Sequence, residues 1–150
     1  QGADQLITCG AKEVCYWHRS EHSVYRERAI FGRKGVKQAV LCLAVINEDE
    51  FVTGQADGSL YMWEKKKIVR WMKNVHQGAM VTIHVGAGHI YTGGIDRKLT
   101  MFTTDLGEVA SYYLSGTIKA IDNFTLQAVI VGTSTNELWQ INLEDGTKSK

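Results

Sequence analysis

The chain of 150 residues contains no proline, beside 15 glycines. Its tight turns therefore depend on residues that tolerate positive φ, which suits a series of short hairpins and leaves the unfolded chain unusually flexible. Cysteine is scarce and odd in number: Cys9, Cys15 and Cys42 all lie in apolar strand contexts, a pattern of reduced thiols rather than of a disulfide framework. No apolar run approaches the roughly 20 residues that span a bilayer. The first residues lack the charged start, apolar core and small-residue cleavage site of a secretory signal. Nor is there an excess of charge of either sign: 17 Lys and Arg oppose 16 Asp and Glu, a net charge of +1, so electrostatic binding must come from local clusters. These absences predict a cytoplasmic protein with no membrane partner. With 44% apolar residues, the chain can bury one sizeable core.

What is present is a repeat. Phe51 to Trp63 reads FVTGQADGSLYMW, an apolar strand, a turn around Asp57-Gly58, and a second strand apolar on both faces. Asp-Gly between two apolar runs is a hairpin signal, and a strand apolar on both faces expects cover on both. The pattern returns at Ile90 to Phe102 and at Ile130 to Ile141, with an earlier, shorter copy at Ile7 to Trp17. Gly54, Gly93 and Gly132 are spaced 39 residues apart. A period near forty, with two strands before and two after each anchor, is the signature of a propeller blade. The pattern resembles the WD-repeat family, whose blades end their third strand on Trp-Asp. Here that dipeptide is degenerate: Trp63 precedes Glu64, Phe102 precedes Thr103, and Trp17 precedes His18.

The expected fold is all-β, a partial β-propeller of about three and a half four-stranded blades with antiparallel sheets. Its blade parts fall near residues 1–31, 38–74, 79–114 and 117–150, as one segment of about fourteen strands. The run Ala39 to Ile46, AVLCLAVI, would fit a helix, but its β-branched residues and the phase of the repeat favour an innermost strand. The first blade lacks its opening strand, and the last ends in a polar tail, Leu143 to Lys150. A propeller hides its terminal blade faces by closing into a ring. The expectation is therefore a fragment of a larger propeller, completed by further blades or by another copy.

Within WD repeats, a His before the first strand, a Ser or Thr on the second and an Asp in the following turn form a hydrogen-bonded network, often ending on the Trp of the third strand. His76, Thr92 and Asp96 match that order, with Phe102 in the Trp position, so a truncated network is expected. Thr53, Asp57 and Trp63 match in the preceding blade, where no His occupies Val36 to Gln38. A catalytic His–Asp pair is the alternative, but no nucleophile accompanies it at a recognisable spacing, and no enzyme activity is expected. Cys9, Cys15, His18 and His22 lack paired metal-ligand spacing, so neither metal nor cofactor is expected. Gly86-Ala87-Gly88-His89 precedes a strand rather than a helix, which makes it a hairpin turn and not a phosphate cradle. His84 and His89 on either side of it are expected to be solvated.

Two basic clusters remain. Arg26, Arg28, Arg33, Lys34 and Lys37 lie on an outer strand and the loop after it, and Lys65, Lys66 and Lys67, with Arg70 and Lys73, follow the Trp63 strand. Blade geometry places that loop and the triple lysine on opposite faces of the disc. Arg33, Lys34, Lys37, Lys65, Lys66, Lys67 and Arg97, in a turn, are the candidate partner-binding residues. Solvated charge is the competing reading for each. Without aromatic residues interleaved to stack bases, nucleic acid is not the expected partner.

A closer resemblance runs through most of the chain. Ile30-Phe31-Gly32-Arg33-Lys34-Gly35, Val40-Leu41-Cys42-Leu43-Ala44, Thr53-Gly54 through Asp57-Gly58 to Tyr61-Met62-Trp63, His76-Gln77-Gly78, Tyr91-Thr92-Gly93-Gly94, and Val131-Gly132-Thr133 with Asn136-Glu137-Leu138 are similar to the echinoderm microtubule-associated protein-like family. Its members join two propellers and associate with tubulin and microtubules. The resemblance implies a non-catalytic, cytoskeleton-associated scaffold whose loops meet protein partners, tubulin among them. The alternative is a general WD-repeat scaffold for protein assembly or peptide binding, unrelated to microtubules.

Overall fold

The computed structural model describes residues 5–150. Among the described residues, four antiparallel sheets follow one another. The first is three-stranded, β1 (Gln5–Gly10), β2 (Glu13–Arg19) and β3 (Val24–Arg28). The second runs β4 (Val40–Val45), β5 (Glu50–Gln55), β6 (Leu60–Glu64) and β7 (Lys67–Met72). The third runs β8 (Met80–Gly86), β9 (His89–Gly94), β10 (Lys98–Thr103) and β11 (Glu108–Tyr113). The fourth runs β12 (Ile118–Thr125), β13 (Ala128–Thr133), β14 (Leu138–Asn142) and β15 (Lys148–Ser149). Successive sheets meet through β1 against β4, β4 against β8, and β8 against β12, an open arc of propeller blades.

Each core lies between two sheets, not within one. Val14, Tyr16, Val40, Phe51, Tyr61, Trp63 and Ile68 fill the first interface. Val52, Leu60, Met62, Met80, Ile90 and Phe102 fill the second. Tyr91, Leu99, Met101, Ile118, Val129, Val131 and Ile141 fill the third. This explains the strand apolar on both faces: Leu60 to Trp63 is buried throughout, because β6 is covered by a sheet on either side. The end sheets are covered on one side only, and Leu6 in β1 and Leu138 in β14 stay exposed. Each large side chain buried in this way stabilises the arc by roughly 1.5–3 kcal/mol.

The 39-residue glycine spacing has a steric cause. A Cβ on Gly54 would lie 2.6 Å from Met80 Sδ, on the first strand of the next sheet, and one on Gly93 would lie 2.4 Å from Ile118 Cγ2. Glycine at this place in the second strand lets the next blade approach. Gly132, in the last sheet, would meet only Ala120, at 3.8 Å.

One expectation needs correction. The tail after Leu143 contributes a short outer strand, since Ser149 and Lys148 pair with Gln140 and Ile141 of β14. The turn at Asp145-Gly146 directs that pairing: Gly146 has φ +70° and its N–H donates to Asn142 O at 2.9 Å. The tail has no apolar alternation, so hydrophobic periodicity gives no sign of it. The loop after β3 follows a path that the repeat does not predict. Ile30 N–H donates to Lys66 O at 2.8 Å, and Ile30 forms a parallel bridge with Lys67. The loop thus starts beside the triple-lysine turn, where sheet twist brings the end of one outer strand to the start of the next, and then crosses the blade. It ends at the β5–β6 turn, where Asp57 N–H donates to Gln38 Oε1 at 3.1 Å and Ala56 N–H to Ala39 O at 3.0 Å, so Lys37 and the triple lysine lie at opposite ends of β6.

Candidate functional site

His76 sits just before β8, 2% exposed, with its ring between two partners. Its Nδ1 lies 2.9 Å from Asp96 Oδ1 and its Nε2 lies 2.9 Å from Thr92 Oγ1. A carboxylate can only accept, so the neutral ring carries its proton on Nδ1, and Nε2 accepts from the Thr92 hydroxyl. Asp96 also accepts from Gln77 N–H at 2.9 Å and Lys98 N–H at 3.2 Å. Phe102 offers no donor, so Thr92 receives no indole N–H as Thr53 does.

In the preceding sheet the same place is built differently. Trp63 Nε1–H donates to Thr53 Oγ1 at 2.8 Å, and Gln55 Nε2–H donates to it at 2.7 Å. Gln55 stands 39 residues before Gly94, so one blade fills with a glutamine amide the space that the next fills with an imidazole. A Cβ on Gly94 would come within 2.6 Å of His76 Nδ1, so the ring depends on that glycine. Asp57 accepts from Ser59 N–H at 2.9 Å, and its own N–H donates to Gln38 Oε1 at 3.1 Å. In the last sheet Ser115 and Thr135 take the His76 and Asp96 positions, with hydroxyls 3.3 Å apart. The sequence missed Gln55 and Ser115; offsetting each blade by 39 residues would have found both. Three chemically different fillings of one place mark it as a brace for the turn.

Burial depresses the His76 pKa below its ordinary value, opposed by the Asp96 carboxylate. Burial alone would raise Asp96, but the hydrogen bonds from Gln77 N–H, His76 and Lys98 N–H outweigh it and hold the carboxyl below its usual range. As pH falls, the unfolded chain takes up the imidazole proton before the native one does. The contribution of His76 is thus fully present above a pH of about 6.5 and is lost on acidification below it. Urea unfolding between pH 7 and 5.5 should show stability falling, and His76→Gln should make that fall shallower. Equal slopes in both proteins would refute the buried neutral ring.

The basic candidates do not form one cluster. Lys65 Nζ lies 3.8 Å from Asp49 and Lys66 Nζ 2.6 Å from Glu27, so both are partly engaged. Lys67 opens β7 beside Ile30. The segment from Ile30 runs along β7 as a strap: Phe31 sets its ring edge on Trp63 at 5.1 Å, Lys34 Nζ lies 5.7 Å from the Trp71 ring, and Val36 N–H donates to Tyr61 Oη at 3.0 Å. Arg33, Lys34 and Lys37 are exposed on this strap. Arg97 lies apart, in the β9–β10 turn with φ +66°.

The remaining histidines and cysteines have ordinary structural surroundings. His84, expected in solvent, is half-buried with Nε2 2.9 Å from Asn123 Oδ1 on β12, because β8 and β12 pack face to face. His89 Nδ1 lies 2.9 Å from Ala87 O and caps its own turn. His18 stacks on Tyr25 at 4.8 Å and faces Glu27 at 3.1 Å. Burial pushes the Cys42 thiol up to about 12, with the neighbouring Cys9 adding to the shift, so it stays protonated. Among the described residues no group of three His, Cys, Asp or Glu side chains is arranged to hold a metal ion.

Comparison with known proteins gives the arc its relatives. No family model matches the chain. Echinoderm microtubule-associated protein-like 4 is 29% identical in Mus musculus and 30% identical in Homo sapiens, over 164 aligned residues and 96% of this chain. Echinoderm microtubule-associated protein-like 2 of Homo sapiens is 24% identical over 94% of the chain. The chain spans 16% of the length of the type 4 proteins and 23% of that type 2 protein. Among solved structures, the WD40 β-propeller domain of Doa1 superposes with a TM-score of 0.78 at 19% identity, covering 95% of this chain and 48% of that one. A computationally designed protein, Ika8, superposes with a TM-score of 0.70 at 15% identity over 96% of this chain. The chain has the fold of an arc of WD40 β-propeller blades and resembles the echinoderm microtubule-associated protein-like proteins.

Proposed function

We propose that this propeller segment is a non-catalytic interaction scaffold of a cytoplasmic, cytoskeleton-associated protein, and that its basic strap meets tubulin. The observation that carries this reading is the strap itself. Arg33, Lys34 and Lys37 project from a backbone fixed to the second sheet, at β7 through Ile30 and at β6 through Phe31 and Val36, and none of the three has a carboxylate within ion-pairing distance among the described residues. Cations held on a rigid support raise the rate and specificity of encounter with an acidic surface, because little ordering is needed on contact. The similarity to proteins named for microtubule association, along 96% of the chain, supports tubulin as that surface. His76, Thr92 and Asp96, like Thr53, Asp57 and Trp63, serve here as braces that hold the turns.

Co-sedimentation of the intact protein with microtubules, at low and moderate salt, tests the reading. Pelleting should weaken as salt screens the strap. Reversing Arg33, Lys34 and Lys37 to Glu should reduce the affinity by about tenfold or more and flatten the salt dependence. Unchanged affinity would remove the strap from the account. No pelleting by the folded protein would favour a scaffold for other proteins.

A further inference from the structure

Between the β1–β2 turn and the strap lies a cleft of about 540 Å³, lined by Lys12, Glu13, Arg28, Ile30, Phe31 and Lys37 among others. We propose that this cleft binds an acidic peptide segment of a protein partner. The inference rests on the reading of the chain as an interaction module, but not on tubulin as its partner.

The walls are preformed. Ala29 N–H donates to Val14 O at 2.9 Å where the strap leaves the first sheet, and Ala39 bridges Ala11 where it returns. Between those ties the strap is fixed to the second sheet through Ile30, Phe31 and Val36. Both sides of the cleft are therefore held by backbone hydrogen bonds and aromatic packing, and a ligand has little to order on arrival. The volume falls within the range of about 300–1,000 Å³ usual for ligand sites.

The charge is unbalanced. Three cationic side chains and one carboxylate line the space. Glu13 is already shared, 3.3 Å from Arg28 Nε and 4.0 Å from Arg26 Nη1. Lys12 and Lys37 are exposed and have no carboxylate within ion-pairing distance among the described residues. Lys12 is held at φ +65° in its turn, which fixes the direction of its stem. An anionic ligand would supply the missing partners for both ammonium groups. Ala29, Ile30 and Phe31 lie beside them, and Ile30 is 59% exposed. Ammonium groups next to aliphatic surface match glutamate or aspartate interleaved with an aliphatic side chain better than a bare inorganic anion.

Fluorescence anisotropy with a dye-labelled peptide alternating glutamate and leucine, titrated with the intact protein, tests this. Lys12→Glu with Lys37→Glu should weaken binding by about tenfold or more, and the milder Lys12→Gln, Lys37→Gln pair should lose less. Lys119→Glu, on β12, should change the affinity less than about twofold, as expected for a distant surface charge. Thermal unfolding of each variant checks that the fold is kept. Equal binding of the double variant would overturn the proposal, and so would equal binding of a glutamine–leucine peptide. Displacement of the peptide by inorganic pyrophosphate at equal concentration would also overturn it, in favour of a small-anion site. No microtubule pelleting by the unmodified intact protein, with the peptide bound, would refute the tubulin reading and leave this one standing.

Discussion

Gly94→Ala is expected to destabilise the protein by about 2–3 kcal/mol, as overpacking of a filled interior does, although it adds a single methyl group. The new Cβ would stand 2.6 Å from His76 Nδ1, 2.7 Å from His76 Cγ and 2.6 Å from Asp96 Oδ1. Rigid neighbours do not yield that much, so the imidazole must leave its place between Thr92 and Asp96. The strand itself is no obstacle, because Gln55 and Thr133 occupy the equivalent positions in the sheets on either side. Thermal unfolding should fall by about 5–10 °C, at roughly 2–4 °C per kcal/mol for a domain of this size. In a His76→Ala background, where the ring is already absent, Gly94→Ala should cost much less. That non-additivity is the diagnostic, since contacting residues couple in a double-mutant cycle and distant ones do not. Additive losses would mean that glycine is needed for some reason other than the His76 ring.

The same pair of positions shows how far the sequence could be read. The period was legible because its cause is steric: each blade needs a glycine where the next blade approaches, as Gly54 and Gly93 do against Met80 and Ile118. The double-sided burial of Leu60 to Trp63 was legible from its unbroken apolar run, for a strand between two sheets has no polar face. The truncation at Phe102 followed from the loss of the indole N–H. Three features were hidden. Gln55 was missed because a glutamine reaching Thr53 along its own strand resembles no motif, although it does the work of an imidazole that comes from outside the strand. The strap along β7 was missed because blade twist sets which turns become neighbours, and twist accumulates over a whole sheet. β15 was missed because a turn, Asp145-Gly146, specifies it rather than a hydrophobic pattern.

Turn geometry also underlies the largest expected loss. Gly58→Ala should cost about 3–4 kcal/mol, the sum of a left-handed backbone penalty and a clash that cannot relax cheaply. Gly58 has φ +82°, and its Cβ would lie 2.1 Å from His76 O and 2.6 Å from Gly78 O. Those are backbone atoms of the next blade, in the peptide that presents His76, and His76 N–H donates to Gly58 O at 3.2 Å. The turn of one blade is thus the support for the histidine of the next. Gly88 supplies the control: its φ is +74°, but nothing lies within 4 Å of a Cβ placed there. Gly88→Ala should cost only the backbone term, about 1–2 kcal/mol. Urea unfolding of the two variants side by side separates steric contact from backbone strain. The imidazole proton resonances of His76 should move in Gly58→Ala and stay in place in Gly88→Ala. If both variants lose the same stability, the contact between the blades contributes nothing, and His76 is held by Thr92 and Asp96 alone.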